Sequence, residues 1–171
     1  MKRYGHESII KAVSLLKDKI PFIQLNIVGK GEYEAELKKL VSNIHLEDYV
    51  QFHGLLPFGD MIKMVAKSDI GIVAVERNPY SDLVHTTKMF EYIAMKKPVI
   101  ITRTKAVEDF FGNNNSCFRY FESGDEKGLA KCIVELYKDP EARKKMVKNA
   151  YAKFESVRWE KMQEVYCNLF L

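Results

Sequence analysis

A long polar segment, residues 76–88, directly precedes an apolar helical run over residues 89–95. Loops of this length in compact domains are commonly functional. His85, Thr86 and Thr87 occupy the positions where a helix N-cap is expected, so hydroxyl groups and free backbone N–H groups would suit a diphosphate there. The sequence therefore indicates an anion site at the start of this helix.

An acidic residue, Glu91, lies one turn further into the same helical run, next to Phe90 and close to Ile93. A carboxylate among apolar side chains is costly unless it accepts hydrogen bonds, and the two hydroxyl groups of a ribose are suitable donors. Pairing of Glu91 with Lys88 or with a neighbouring helix end is the alternative interpretation. Composition does not decide between the two.

Two shorter segments each come after a β-rich apolar run. Gly29-Lys30-Gly31 follows one such run, and glycines there let the backbone approach an anion closely, although a simple tight turn is the other interpretation. Leu55 and Leu56 follow the next run, where a planar base would fit against their side chains. A plain connection is equally compatible with this second segment.

Five β-rich runs alternate with helical patterns and would position these segments. They cover residues 22–28, 50–52, 70–75, 98–102 and 117–121. The third and fourth are almost continuously apolar, as in strands buried on both faces of a parallel sheet. The pattern predicts an α/β fold: a Rossmann-like open parallel sheet with helices on both faces.

A single domain is predicted over residues 1–171, ending in two helices over residues 140–154 and 159–169. The first recognisable element is a helix, so the first strand of the fold is expected to be missing. Parallel strands end at one edge of a sheet, and ligands of open α/β sheets bind at that edge. The three candidate segments are therefore expected to gather there.

Composition limits the classes of function. The chain has 171 residues, a net charge of +4 and 47% apolar residues, which excludes disorder. Its three cysteines form no pair with metal-ligand spacing, so we expect no metal site and a reducing, cytoplasmic setting. No apolar run approaches the roughly 18 residues of a membrane span. Nucleic-acid binding is not predicted.

A basic cluster, Arg143-Lys144-Lys145 with Lys148, lies on a helical pattern. A solvated helix face is the favoured interpretation, and contact with an anionic membrane surface, here the inner face of the membrane, is the alternative. The sequence contains no recognisable catalytic constellation, so catalytic residues are not assigned.

Several blocks together resemble the C-terminal domain of family 4 glycosyltransferases, enzymes built from two Rossmann-like domains in the GT-B fold. The most specific block is Lys88–Ile100, similar to the family's K-x-F-E-Y-x-A…P-V-I pattern. The others are Val28–Gly31, Phe52–Gly54, Ser68–Ile72, the turn Glu122–Asp125 and the opening Tyr4–His6. The resemblance covers nearly the whole chain.

The resemblance implies the half of a glycosyltransferase that binds the nucleotide-sugar donor, from which a hexosyl group passes to a glycan or lipid-linked acceptor. It implies that Glu91 binds the ribose, that the backbone at Thr86 and Thr87 meets the diphosphate, and that Lys88 matches a lysine of the family pattern. Together with the residue-based candidates, the donor-binding set is Gly29, Lys30, Gly31, Leu55, Leu56, His85, Thr86, Thr87, Lys88 and Glu91.

The same resemblance implies no metal and no cofactor beyond the nucleotide-sugar substrate. It also implies that an N-terminal acceptor domain or a partner subunit is missing, so the isolated chain should bind a donor but scarcely turn it over. Two positions depart from the family: Leu83 stands where an acidic residue is frequent, and Lys96 replaces a glycine and must adopt a left-handed conformation or alter the helix cap.

Two other functions compete with this interpretation. A degenerate, non-catalytic partner subunit would keep the fold without needing to bind a nucleotide, and Leu83 and Lys96 favour it slightly. A flavodoxin-like receiver or cofactor domain would need clustered acidic residues at the early strand ends, which the sequence lacks.

Overall fold

The computed structural model describes residues 4–169, in which short parallel strands alternate with helices. The helices are α1 (His6–Ser14), α2 (Glu34–Asn43), α3 (Phe58–Lys67), α4 (Thr87–Ala94), α5 (Lys105–Phe111), α6 (Glu126–Lys138), α7 (Pro140–Glu155) and α8 (Trp159–Asn168). The strands are β1 (Leu25–Ile27), β2 (Val50–Phe52), β3 (Gly71–Val73), β4 (Val99–Thr102) and β5 (Arg119–Phe121). The predicted α/β class and parallel pairing are confirmed.

Hydrogen bonding divides the strands into two sheets, of order β1-β2 and β3-β4-β5, where one continuous sheet was expected. Leu25 pairs with Val50 in the first sheet, and Ile72 pairs with Ile100 in the second. Apart from β2, which matches its predicted run, the strands are shorter than the runs that predicted them, because only the residues that have a paired neighbour form a ladder.

Among residues 4–169, no strand pairs with the edge of β1 that faces away from β2. The N–H of Leu25 donates to the Tyr49 carbonyl at 2.8 Å, and the N–H of His53 donates to the Ile27 carbonyl at 2.9 Å. Because backbone groups alternate between the two edges of a strand, the N–H and C=O of Asn26 face away from β2.

Strand β3 also has an edge that pairs with no other strand among the described residues. The N–H of Gly71 donates to the Pro98 carbonyl at 2.9 Å, so Gly71 faces β4 and Ile72 faces the opposite, unpaired edge. Leu25 and Ile72 both pack against the same apolar cluster, which α1 supplies in part. Helix α1 therefore joins the two sheets where the strands do not.

Helices cover the second sheet on both faces. Ile100 and Phe121 pack against α1 and α6, whereas Ile101 and Tyr120 pack against α4, α5 and α7. Because neighbouring residues of a strand point to opposite faces, a strand covered by helices on both faces carries apolar residues at successive positions. Every residue of β4 is buried, as expected for the central strand.

Helix boundaries match the predicted signals closely. Asp139 caps α7 by accepting a hydrogen bond from the N–H of Ala142 at 2.8 Å, and Pro140 occupies the first turn. The last two helices differ from the predicted bounds by one residue each, at Glu155 and Asn168. Lys96, after α4, has φ of 56°, so the expected left-handed conformation is confirmed.

Two helices contribute no buried residue. Helix α3 is amphipathic, yet none of its residues is fully buried, and Phe58 at its start is exposed. Helix α8 is exposed along its described length, and Trp159 retains 68% of its accessible surface. These two helices present apolar surface that the described residues do not cover.

Candidate functional site

The loop between β3 and α4 crosses the carboxyl edge of the second sheet and is anchored by Asp82. The Asp82 carboxylate accepts hydrogen bonds from the backbone N–H of Lys105 at 2.9 Å and from Arg77 Nε at 3.1 Å. Its backbone carbonyl accepts from the N–H of Ala106 at 3.1 Å. The N–H of Arg77 in turn donates to Ser123 Oγ at 3.0 Å. Asp82 thus ties the loop to the start of α5.

This arrangement affects the ionisation of Asp82. The hydrogen bond from the N–H of Lys105, together with that from the Arg77 guanidinium, holds the pKa of the Asp82 carboxyl below its ordinary value. A pKa lowered by folding stabilises the folded state at pH values above the unfolded pKa of about 3.9. That stabilisation is lost as the pH falls through the folded value.

Asp82→Asn removes the charge while keeping the shape of the side chain. We expect faster hydrogen exchange at the Lys105 and Ala106 amides at neutral pH, because the anchored loop opens more often. The difference from the wild-type chain should shrink as the pH falls from about 4 through the lowered folded pKa of Asp82, where the wild-type carboxylate is neutralised as well. Asp60→Asn on α3, which removes an exposed pair with Lys63, serves as the control. Equal exchange in both variants at neutral pH would show that Asp82 does not hold the loop.

A cavity of about 210 Å³ lies beneath this loop, between the ends of β3 and β4 and the start of α4. Its apolar lining comes from β3 and the segment just after it, from β4 and from α5: Val73, Val75, Ile101 and Val107. Its polar lining comes from the loop and the helix starts, and includes Tyr4, Glu76, His85, Thr86, Thr87, Lys88 and Thr104.

The start of α4 presents unsatisfied polar groups to this cavity. Thr86 is the N-cap, but its hydroxyl caps nothing, and Thr86 Oγ1 is buried without a hydrogen-bond partner. The first N–H groups of a helix, here those of Thr87 and Lys88, have no intrahelical acceptor. The positive end of the helix dipole adds to the attraction for an anion. The geometry therefore suits the predicted diphosphate.

Lys88 supplies the positive charge at this helix start. Its Nζ lies 3.9 Å from the centroid of the Tyr4 ring, and within residues 4–169 it forms no salt bridge. Burial, and then the charge of Lys88, lowers the pKa of His6 below its ordinary value, so His6 tends to stay neutral. His6 therefore adds no positive charge beside Lys88.

Two arginines near the carboxyl edge are neutralised by ion pairs. Arg77 pairs with Asp82, and Arg103 pairs with Glu108 and, at 3.1 Å, with Glu122. These pairs hold the loops together rather than leaving charge for a ligand. Lys88 is accordingly better placed than either arginine to neutralise a bound anion.

His85 lines the cavity and also has a structural partner. Its Nε2 donates to the Ala106 carbonyl at 2.9 Å, since a carbonyl can only accept. Its ring makes edge contacts with Phe90, Phe110 and Phe111. His85 therefore packs α4 against α5 as well as bordering the site.

Glu91 is exposed, so the expectation that it sits among apolar side chains is wrong. The buried face of α4 carries Met89 and Ile93, four residues apart, and a residue two positions after Met89 points to the opposite side of a helix. The alternative pairing with Lys88 is not formed, and no other described residue forms an ion pair with Glu91. Its carboxylate is thus available for a ligand.

The glycine-rich and leucine segments lie next to each other at the carboxyl edge of the first sheet. The N–H of Gly29 donates to the Gly54 carbonyl at 2.7 Å, and His53 Nε2 lies 2.8 Å from Asn26 Oδ1. Lys30, Gly31 and Leu55 are exposed, and Leu56 is half-buried. These residues and Glu91 do not line the cavity beneath the β3–α4 loop, so only His85, Thr86, Thr87 and Lys88 of the predicted set meet there.

Sequence reasoning did not single out Asp82 or Thr104 as part of the site. Thr104, two residues beyond the end of β4, is the N-cap of α5 and lines the cavity. Its place between a buried strand and a helical run was the available signal. Asp82 had no local signal, because one of its partners, Lys105, is distant in sequence.

Metal and membrane sites were also sought. Across residues 4–169, no three His, Cys, Asp or Glu side chains come together in a way that would hold a metal ion. In the same part of the chain, no helix is both long and apolar enough to cross a membrane.

Comparison with known proteins identifies the family. The profile of glycosyl transferases group 1 matches residues 1–153. The chain belongs to this family. Among curated proteins of this glycosyltransferase family, a GDP-mannose-dependent monoacylated alpha-(1-6)-phosphatidylinositol monomannoside mannosyltransferase of Corynebacterium glutamicum is 30% identical over 170 residues. That match covers 98% of this chain and 44% of the relative, and the chain spans about two fifths of the length of its curated relatives.

Solved structures share the GT-B Rossmann-like domain. Anabaena HepE in complex with UDP superposes with a TM-score of 0.82 at 18% identity, over 100% of this chain and 46% of that one. The C-terminal domain of a group 1 glycosyl transferase, LpcC, from Francisella tularensis gives 0.77 at 19% identity, over 92% of this chain and 80% of that one. At these identities the likeness concerns the fold.

Proposed function

We propose that this chain is the donor-binding, C-terminal domain of a family 4 glycosyltransferase and holds the diphosphate of a nucleotide-sugar at the start of α4. The observation that carries the proposal is the buried, unpartnered hydroxyl of Thr86 beside the free N–H groups of the first turn. Buried polar atoms normally have partners, and a bound anion would supply one. Lys88 would neutralise part of its charge.

The chemical role of these groups is electrostatic. When the bond between the sugar and the diphosphate breaks, negative charge grows on the leaving diphosphate oxygens. Backbone N–H groups of Thr87 and Lys88, fixed by the helix, and the Lys88 ammonium would stabilise that charge without reorganising. The positive groups needed for the diphosphate are thus protein groups, and we propose that neither a metal nor a further cofactor takes part.

The rest of the nucleotide would extend from α4 towards the first sheet. Glu91 would accept hydrogen bonds from the ribose hydroxyls, and Leu55 and Leu56 would lie against the base. Gly29, Lys30 and Gly31 would border the donor from the adjacent loop. Relatives named for GDP-mannose dependence and neighbours described with UDP support a nucleoside diphosphate as the common element.

The acceptor would be a glycan or a lipid-linked sugar, oriented by a second domain or by a partner subunit. The unpaired edges of β1 and β3 and the uncovered surfaces of α3 and α8 support such a partner. A further parallel strand between the two edges would join the sheets, and its connection through α1 to β1 would have the usual right-handed sense. Without the acceptor surface, the chain would bind a donor but scarcely transfer its sugar.

The unpaired edges lead to a prediction for hydrogen exchange. The Asn26 and Ile72 amides should exchange faster than the Ile101 amide in the isolated chain, because open strand edges leave N–H groups without partners. Pairing with a further strand, supplied by the rest of the enzyme, should slow both. Equal protection of the three amides in the isolated chain would contradict the open edges.

Peripheral contact with the inner, anionic face of a membrane is a weaker proposal. Arg143 donates to the carbonyls of Leu136 and Tyr137 at the end of α6, and Lys144 pairs with Glu141 at 2.8 Å. This leaves Lys145 and Lys148 as exposed charges of the basic cluster. Two lysines would contribute only about 1 kcal/mol each.

Calorimetric titration with UDP and with GDP tests the proposed function. We expect the wild-type chain to bind one of them, and Lys88→Met to weaken that binding. Lys148→Met on α7, an exposed lysine that does not line the cavity, is the matched control and should bind as the wild type does. Absence of binding by the wild-type chain would favour the non-catalytic partner subunit instead.

A further inference from the structure

We propose that Thr104 is a specificity-determining residue of the donor site and that its hydroxyl binds a hydroxyl group of the sugar carried by the nucleotide. This inference rests on the proposed function and adds to it the part of the donor that occupies the cavity beneath the β3–α4 loop. Thr104 has only 1% of its surface accessible, and it lines that cavity.

The Thr104 hydroxyl has no partner within the described chain. Thr104 Oγ1 is buried without a hydrogen bond, and the side chain does not cap α5 although Thr104 is its N-cap residue. A buried hydroxyl without a hydrogen bond is destabilising, and such atoms are rare in folded proteins. Thr86 Oγ1, at the same cavity, is in the same condition. Two unsatisfied hydroxyls at one cavity point to a polar ligand.

The charges near Thr104 indicate which part of the donor would contact its hydroxyl. At the start of α5, the N–H of Lys105 already donates to the Asp82 carboxylate, and the N–H of Ala106 donates to the Asp82 carbonyl. The low pKa of Asp82 keeps that carboxylate charged. A phosphate beside Thr104 would be repelled by it, whereas a neutral hydroxyl group would not. The diphosphate therefore belongs at α4, and an uncharged polar group belongs at Thr104.

The size and lining of the cavity agree with a sugar ring. A volume of about 210 Å³ is below the 300–1,000 Å³ of pockets that enclose a whole drug-sized ligand, so it would take one part of a nucleotide-sugar. Val73, Ile101 and Val107 offer an apolar floor to the C–H groups of a ring. The Thr104 hydroxyl would then pair with a ring hydroxyl, while the Thr86 hydroxyl faces the diphosphate at the start of α4.

Thr104→Val tests this, because valine has the shape of threonine without the hydroxyl. Thr102→Val is a matched control: Thr102 is also fully buried, and its Oγ1 also lacks a partner, but it does not line the cavity. Thr104→Ser restores a hydroxyl. Calorimetric titration would compare UDP with UDP-glucose, and GDP with GDP-mannose, on the wild-type chain and on each variant, with melting temperatures measured in parallel.

We expect Thr104→Val to weaken binding of the nucleotide-sugar by about three- to ten-fold while leaving the nucleoside diphosphate within two-fold. Thr102→Val should change neither, and Thr104→Ser should recover the nucleotide-sugar. If Thr104→Val does not fold, Thr104→Ala and Thr104→Ser make the same comparison.

Two outcomes would overturn the inference, and they can be told apart. Equal affinity of Thr104→Val and the wild type for the nucleotide-sugar, or equal losses for nucleotide-sugar and diphosphate, would refute the role of Thr104 and leave the proposed function standing. A wild-type chain that binds neither nucleoside diphosphate would overturn the proposed function and this inference together.

Discussion

Replacing Glu91 by alanine is expected to weaken nucleotide binding by about ten- to a hundred-fold and to leave thermal stability unchanged or slightly higher. The carboxylate is exposed and has no ion-pair partner among the described residues. If it accepts hydrogen bonds from both ribose hydroxyls, alanine leaves those hydroxyls without a charged acceptor. Hydrogen bonds to charged groups contribute about 1.5–3 kcal/mol, which gives the expected range of affinities.

The melting temperature of Glu91→Ala distinguishes a binding role of Glu91 from a structural one. Alanine is the best helix former and Glu91 holds no neighbour in place, so the melting temperature should not fall. Glu164→Ala on α8, another exposed glutamate in a helix, is the control for removing a negative charge. Unchanged affinity together with a lowered melting temperature would make Glu91 a structural residue and refute the ribose assignment. Calorimetric titration and thermal melting of the same two variants provide both readouts.

The second large effect is expected for Gly71→Ala, which tests how α4 is positioned. A Cβ on Gly71 would lie 2.5 Å from Cδ2 and Cγ of the Tyr92 ring, closer than carbon atoms can approach. Burial, and then the charge of Glu91, raises the pKa of the Tyr92 hydroxyl above its ordinary value, consistent with a ring packed into the protein. Because a ring cannot bend aside at Cγ, the methyl group has to push α4 away from β3.

Overpacking of this kind costs about 1–3 kcal/mol. In a chain of this size, each kcal/mol lowers the melting temperature by about 2–4 °C, so a fall of roughly 2–12 °C is expected. Nucleotide affinity should fall as well, since Thr86 and Lys88 move with α4. A melting temperature equal to that of the wild type would show that Tyr92 does not fix the helix against the strand.

Gly59→Ala supplies the matched control. Gly59 lies in α3, and a Cβ there meets no atom within 4 Å. Alanine favours a helix over glycine by about 1 kcal/mol, so this variant should melt a few degrees higher than the wild type and bind nucleotide equally well. Opposite shifts for two glycine-to-alanine changes would separate crowding at Gly71 from a general effect of the substitution.

The apolar runs and cap signals were enough to predict the elements that carry the site. The run ending at Val75 and the run from Pro98 to Thr102 each contain a strand, and Thr86 is the N-cap of α4 as expected. These features are local, because burial on both faces and the start of a helix each leave a pattern within a few residues. The left-handed conformation of Lys96 was expected from the family resemblance, because Lys96 replaces a glycine at the end of this helix and helices commonly end in a left-handed residue.

The contacts that shape the site could not be predicted, because they join distant residues. Asp82 is held by Lys105, which is remote in sequence, and nothing near Asp82 marks that contact. The division into two sheets depends on pairing partners rather than on the strands themselves. The exposure of Glu91 was within reach, since Met89 and Ile93 define the buried face of α4 and place Glu91 opposite.

Amide NMR spectra recorded during titration with UDP and GDP would show where the nucleotide binds. We expect the nucleotide to shift the backbone amides of Thr86, Thr87 and Lys88 most strongly, with smaller changes at Gly29 and Glu91. These shifts should saturate together, as expected for one site. Shifts confined to the opposite edge of the sheets, for example around Phe22 and Ile70, with the Thr86–Lys88 amides unmoved, would contradict a donor site at the start of α4.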